Sequence, residues 1–230
     1  MKYISYDFET TGLDPKKDQP IEIGIIKIDD QTGDMEQYDI FIKTLEPLSD
    51  DTKRITGITD EMITEKGVDL EPAMKAMFQV FGIRQNDYDE DVTILGHNII
   101  GFDNWFLKKY TERYGYTFPK RECFFDTAGE FRGLLLNEDR FVHECDYDYH
   151  DRILKMSMKG ARYNLGAACN YYKVPMDRAA HRAHNDALFT LRVFEKQKEL
   201  NLLKFTPVKD DDGEVPQVRH DENGQGAFNF

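Results

Sequence analysis

The order in which apolar periodicity changes along the chain restricts its fold more than any other feature. Three early runs, Tyr3 to Leu13, Pro20 to Ile28 and Tyr38 to Lys43, have strand chemistry. The link Asp29-Asp30-Gln31-Thr32-Gly33-Asp34 has the composition of a hairpin turn, so the three runs read as an antiparallel meander. Later the spacing becomes mainly helical. Thr59 is an N-cap for a short helix from Asp60 to Lys66, after a turn over Ile55 to Thr59. Asp69 to Phe81 places Ala73, Met74, Met77, Phe78 and Phe81 on one face, with Pro72 suited to the first turn. Asp91 to Asn98 and the stretch near Cys123 to Asp126 read as short buried strands, each feeding a helix, Ile99 to Tyr114 and Thr127 to Leu136. Ala161 to Tyr172 and Arg182 to Leu200 close the domain as helices. A meander followed by βα units predicts an α/β fold: a mixed sheet with helices on both faces.

At 230 residues the chain can bury a full core, and it divides into a domain over residues 1–204 and a flexible acidic tail over 205–230. Residues 137–158 are acidic and aromatic without a clear period, and read as an insertion loop. His143, Cys145 and His150 lie within it, but they lack regular metal-ligand spacing and read as parts of a solvated loop. There is no apolar run long enough for a membrane span and no secretory leader, so the expectation is a soluble, cytoplasmic protein without membrane contact. Cys123, Cys145 and Cys169 are odd in number and widely spaced, which argues against a disulfide framework and leaves them as apolar fillers. The formal net charge of −13 predicts shallow contact with nucleic acid rather than tight wrapping of a duplex, although cations bound at an acidic site would change that balance locally.

In the first strand Asp7 and Glu9 are separated by one residue, so they project from the same face about 7 Å apart. Phe8 points the other way into a core, and Thr10-Thr11-Gly12 ends the strand in a turn. Two further segments carry acids at element ends: Gly96-His97-Asn98-Ile99-Ile100-Gly101-Phe102-Asp103 and His181-Arg182-Ala183-His184-Asn185-Asp186-Ala187.

Together these three segments resemble, in order and rough spacing, the motifs of the DEDDh (DnaQ-like) 3′→5′ exonucleases, a group similar to the proofreading subunit of bacterial replicative DNA polymerases. The resemblance covers about residues 2 to 200 and implies the ribonuclease H-like fold. Ile55 to Thr59 and Phe125-Asp126-Thr127 look like further family features, while His184 stands where an apolar residue is usual.

The chemistry is coherent without the family. Hydrolysing a phosphodiester needs a deprotonated water, charge stabilisation at the phosphate and neutralisation of the leaving oxygen, which two divalent cations can supply. Hard cations such as Mg²⁺ or Mn²⁺ prefer carboxylate oxygens, and Asp7, Glu9, Asp103 and Asp186 are about the number that two ions require. Asp7 is expected to bridge, Glu9 and Asp186 to hold the water-bearing ion, and Asp103 to support the second. His181, five residues before Asp186, is expected to be the general base, a role that suits imidazole. His97 reads as a packing residue near a strand end.

By resemblance, Thr10, Thr11 and Gly12 meet the terminal 3′-hydroxyl, Leu13 and Phe102 wedge against the last bases, and Asn98 holds the edge of the site. The final hexapeptide Gln225-Gly226-Ala227-Phe228-Asn229-Phe230 resembles the sliding-clamp-binding peptides of bacterial replication proteins. The expected function is a metal-dependent 3′→5′ exonuclease releasing nucleoside 5′-monophosphates from single-stranded or frayed DNA ends, in proofreading or repair. The same chemistry on RNA is the nearest alternative, because no residue in the sequence identifies a reader of the 2′-hydroxyl. A non-catalytic replication accessory module that binds a clamp is an alternative of another class.

Overall fold

A computed structural model describes residues 1–160, 162–177, 181–200 and 202, together with the backbone of two short strands, Arg219–His220 and Gly226–Ala227. The remainder of the tail, and with it the clamp-peptide expectation for Gln225 to Phe230 apart from that backbone, lies outside the described residues.

In chain order the elements are strands β1 (Lys2–Thr10), β2 (Pro20–Asp29) and β3 (Met35–Phe41), helices α1 (Asp50–Thr56), α2 (Asp60–Lys66) and α3 (Leu70–Phe81), then strand β4 (Val92–Gly96). There follow helix α4 (Asp103–Tyr114), strand β5 (Phe124–Asp126) and helices α5 (Thr127–Leu136), α6 (Asp146–Lys155), α7 (Leu165–Tyr172) and α8 (Ala183–Gln197). The sheet order is β3-β2-β1-β4-β5. β1–β2 and β2–β3 are antiparallel, and β1–β4 and β4–β5 are parallel.

Period-two alternation sorts β1 between two cores. Ile4, Tyr6 and Phe8 pack with Met74, Met77, Phe78 and Phe81 of α3 and with Phe106, Leu107 and Tyr110 of α4. Tyr3 packs on the other face against Leu188, Leu191 and Phe194 of α8. The expected mixed sheet with helices on both faces is therefore the observed architecture. Strand β2 reads as a nearly unbroken apolar run because both its faces are covered. Among the described residues no helix is long and apolar enough to cross a membrane.

Three expectations need correction. The stretch at 137–158 contains helix α6, whose carboxylates Asp146, Asp148 and Asp151 hide an inward face of Tyr149, His150 and Ile153. His150 is buried rather than solvated: its Nδ1 accepts the N–H of Asp126 at 3.2 Å and its Nε2 meets Glu130 at 2.8 Å. Helix α4 begins at Asp103 and not at Ile99, because Asn98 has φ +73° and Asp126 takes the N–H groups of Asn98 and Ile100 out of any helical ladder. Residues before Gly57 form the helix α1, capped by Ser49 accepting from the N–H of Thr52 and ended by Gly57 in the left-handed region. The three cysteines are free, with Cys123 and Cys169 buried.

Candidate active site

The C-terminal end of β1 is where three elements meet. Asp7 and Glu9 project from the α8 side, and pairing with β2 shifts register after Glu9, which ends the regular ladder beside the turn at Thr10. Helix α4 is fastened to the same strand end. The Asp103 carboxylate accepts the N–H of Phe8 at 3.1 Å, and the Tyr6 hydroxyl donates to the side-chain oxygen of Asn104 at 2.7 Å. Asp103 is thereby held at 3 % exposure next to Asp7.

Asp126 builds the turn that delivers Asp103. Its carboxylate accepts four backbone N–H groups, those of Asn98, Ile100, Ala128 and Gly129, so it caps α5 and shapes residues 98–100 at once. His97 tightens the same corner through Thr127 Oγ1 and the Tyr163 carbonyl, both at 2.9 Å, which fits its expected packing role.

The third wall is the first turn of α8. Gly24 of β2, paired with Asp7, lets this turn lie directly on the sheet: a Cβ at Gly24 would fall within the backbone of Ala183 and His184. Glu22, fully buried and paired with Glu9, accepts the N–H of Ala183 at 3.0 Å and the Nε of Arg182 at 2.9 Å. Arg182 Nη2 also donates to Asp39 at 3.2 Å, and Asp39 lies 3.3 Å from His184 Nδ1. Glu22 and Asp39 thus bind the start of α8 across two strands. Sequence reasoning passed over Gly24 and Glu22; a glycine and a charge inside an otherwise apolar strand were the available signals.

These walls bring Glu9, His181 and Asp186 together, with one ligand atom from each lying within 4.8 Å of the others. His181 is exposed, has φ +61°, and its N–H donates to Asp186 Oδ2 at 3.3 Å. The other carboxylate oxygen of Asp186 is buried without a hydrogen-bond partner among the described residues. Glu22, Asp39 and His184 form a second close group, but the Arg182 guanidinium already supplies its cation.

The electrostatics of the carboxylates favour a positive charge beside them. Burial, then Asp103, Glu9, Asp186 and Glu22, push the Asp7 carboxyl well above the ordinary range. Burial with Glu22, Asp186 and Asp103 raises Glu9 to about 8 against partial relief from Arg182. Burial raises Asp103 to about 7 despite the N–H of Phe8, and burial raises Asp186 against the opposing influence of His181. An unpartnered buried oxygen and several mutually repelling carboxylates are the donor set that a hard divalent cation satisfies. Glu9 and Asp186, whose ligand atoms converge, fit such an ion, with Asp7 and Asp103 as buried carboxylates beside them.

The residues expected to meet substrate differ in exposure and in how far their polar groups are already engaged. Leu13 is 82 % exposed, and Phe102 is half-buried with its ring 5.3 Å from Phe106. Asn98 is half-buried at the corner that Asp126 holds. Thr10 Oγ1 donates to the Gly12 carbonyl. Thr11 is the most committed: its N–H donates to Gln19, its hydroxyl to Asp18, and its carbonyl accepts from Thr52.

Comparison with known proteins places the chain in a family. The RNase_T family model, described as Exonuclease, matches residues 4–194. The DNA polymerase III PolC-type of Ureaplasma parvum is 26 % identical over 197 residues, covering 85 % of this chain and 11 % of that protein. The PolC-type enzyme of Thermotoga petrophila is 27 % identical over 211 residues, covering 90 % of this chain and 13 % of its own length. The chain thus spans about a tenth of these relatives. Among solved structures, Escherichia coli exonuclease I in complex with a 5cy-dT13 oligonucleotide aligns with a TM-score of 0.62 at 19 % identity, over 86 % of this chain and 40 % of that one. A zinc-bound complex of the same enzyme with single-stranded DNA gives 0.64 at 18 % identity, over 86 % and 40 %.

Proposed function

The chain belongs to the exonuclease family, and on that premise we propose that it removes nucleotides from the 3′ end of single-stranded or frayed DNA, releasing nucleoside 5′-monophosphates. The observation that carries the reading is the convergence of Glu9, His181 and Asp186 within 4.8 Å, beside Asp7 and Asp103. In this reading Asp7, Glu9, Asp103 and Asp186 hold two divalent cations, Mg²⁺ or Mn²⁺. Bound there, the cations supply an acidified water and neutralise charge on the phosphate and the leaving oxygen.

The chain's own residues do the rest. His181 sits on the solvent side of Asp186 and accepts the proton of the attacking water, while the N–H it donates to Asp186 orients that carboxylate. His184 is held against Asp39 in the layer beneath, which suits a supporting role and not that of the base. Leu13 and Phe102 wedge the terminal bases apart, and Asn98 borders the site. Thr10 and Gly12 approach the 3′-hydroxyl more readily than Thr11, whose polar groups are in use. Wedges and stacking tolerate any base, as trimming arbitrary ends requires. The PolC-type relatives and the oligonucleotide complexes of exonuclease I favour DNA over RNA as substrate and replication or repair as the setting. Docking of Gln225 to Phe230 on a sliding clamp belongs to the same proposal.

A side-by-side digestion of matched DNA and RNA oligomers, single- and double-stranded, in Mg²⁺, Mn²⁺ and EDTA tests it. Metal-dependent loss of single-stranded DNA ahead of RNA is expected. Faster loss of RNA would make the chain an exoribonuclease, and inactivity of the folded protein in both metals would favour the non-catalytic accessory module.

A further inference from the structure

Helix α4 has an outer face for which the active site gives no reason. Asp103, Phe106, Leu107 and Tyr110 turn inward, while Trp105, Lys108, Lys109, Glu112 and Arg113 follow one another at three- and four-residue spacing outside. Trp105 is the chain's single tryptophan and is 57 % exposed. Trp105 stands in the first turn of α4, its backbone N–H donating to the carbonyl of half-buried Phe102 at 2.9 Å, and the ring of Phe102 lies 5.3 Å from that of Phe106.

A second observation ties this face to the mouth of the site. Lys109 Nζ donates to the Asp18 carbonyl at 3.0 Å, and the Asp18 carboxylate holds Thr11 Oγ1 at 3.0 Å and the N–H of Asp14 at 2.8 Å. The loop that carries Leu13 is thus fastened to α4 one turn beyond Trp105. Charge gives a third observation. In a chain of net charge −13, the outer face sets Lys108, Lys109 and Arg113 against Glu112, and the loop adds Lys16 and Lys17 against Asp14 and Asp18. Lys108 is 3.8 Å from Glu112 and Lys17 is 3.6 Å from Asp14, so the pairing is loose. Here a phosphate chain can lie on an acidic protein without repulsion.

We infer that the outer face of α4 is the track of the single strand behind its 3′ end. Trp105 stacks on a base upstream of the pair wedged by Leu13 and Phe102, and Lys108 and Arg113 meet the phosphates that follow. The inference rests on the nuclease reading, which supplies the strand and its direction.

The single tryptophan makes the test direct. The full chain is titrated with an oligothymidylate of about a dozen nucleotides in EDTA, where nothing is hydrolysed, and indole emission is followed. A saturating quench is expected, moving to higher oligomer concentration with salt and with K108Q and R113Q. In turnover with Mg²⁺, Trp105→Ala is expected to raise KM for that oligomer about tenfold more than KM for thymidine 5′-(p-nitrophenyl phosphate), which reaches only the terminal pocket, and Trp105→Phe should recover most of the loss. Unquenched emission at saturating oligomer, or equal KM changes for the two substrates, would overturn the track. Failure of the wild type to hydrolyse the ester in Mn²⁺ would instead count against the nuclease reading, with the fluorescence titration still deciding the track. Should Trp105→Ala fail to fold by circular dichroism, the wild-type quench and the Trp105→Phe kinetics decide.

Discussion

His181 lies just before α8 and His184 in its first turn, in different layers, and that separation gives the sharpest prediction at the scale of single residues. His181 is exposed beside Glu9 and Asp186, whereas His184 faces buried Asp39. Replacing His181 by Ala should lower the rate by about 10² to 10⁴ with metal binding retained. Replacing His184 by Ala should mainly lower the melting temperature, and the reverse pattern in a paired kinetic and thermal measurement would exchange their roles. Asp186→Asn removes the charge around the unpartnered oxygen and should abolish both turnover and Mn²⁺-induced thermal stabilisation. The expectation for the acids and His181 came from motifs of recognisable order at element ends, and the structure brings Glu9, His181 and Asp186 together. The partners of Glu22, Asp39 and Asp126 were not legible, since they are distant backbone N–H groups and side chains that only tertiary packing brings near. Sequence spacing does not encode such partners.

At the scale of elements, the site depends on how closely the start of α8 lies on β2. Gly24→Ala places a methyl group within the backbone of Ala183 and His184, so the helix must lift and carry Asp186 away from Asp7. Overpacking of this kind costs about 1–3 kcal/mol, and turnover should fall further than stability does, as thermal melting and initial rates measured together would reveal. Arg182→Ala leaves Glu22 as a buried carboxylate without its guanidinium and should cost about 3–5 kcal/mol in denaturant unfolding. Most elements were readable from period: helix α5 runs over the expected residues Thr127 to Leu136, and the meander lies where hairpin chemistry puts it. Helix α6 was concealed because its three aspartates break a hydrophobic reading, although Tyr149 and Ile153 keep a four-residue spacing. The beginning of α4 was misplaced because a buried carboxylate on another element, Asp126, decides it.

At the scale of the whole molecule, the clustered carboxylates make stability depend on pH in an unusual direction. Glu9 at about 8 and Asp103 at about 7 lie above the ordinary carboxylate range, so the metal-free native state holds protons that the unfolded chain has released. Stability of the metal-free protein should therefore fall as pH rises from about 4.5 through 8, and Mg²⁺ or Mn²⁺ should restore more of it at the upper end. A melting temperature in EDTA that climbs across this window would contradict the assignment. The proposed contact with a polyanion asks little of the net charge of −13: in that reading cations offset Asp7, Glu9, Asp103 and Asp186, and the outer face of α4 sets Lys108, Lys109 and Arg113 against Glu112. The central claim is that this acidic cluster removes nucleotides from 3′ ends. The most direct measurement follows a 5′-labelled single-stranded DNA with wild type and with Asp7→Ala, in Mg²⁺ and in EDTA. A ladder of successively shorter labelled strands in the wild-type Mg²⁺ reaction alone is the predicted result; an unchanged strand there, or an equal ladder from folded Asp7→Ala, would contradict it.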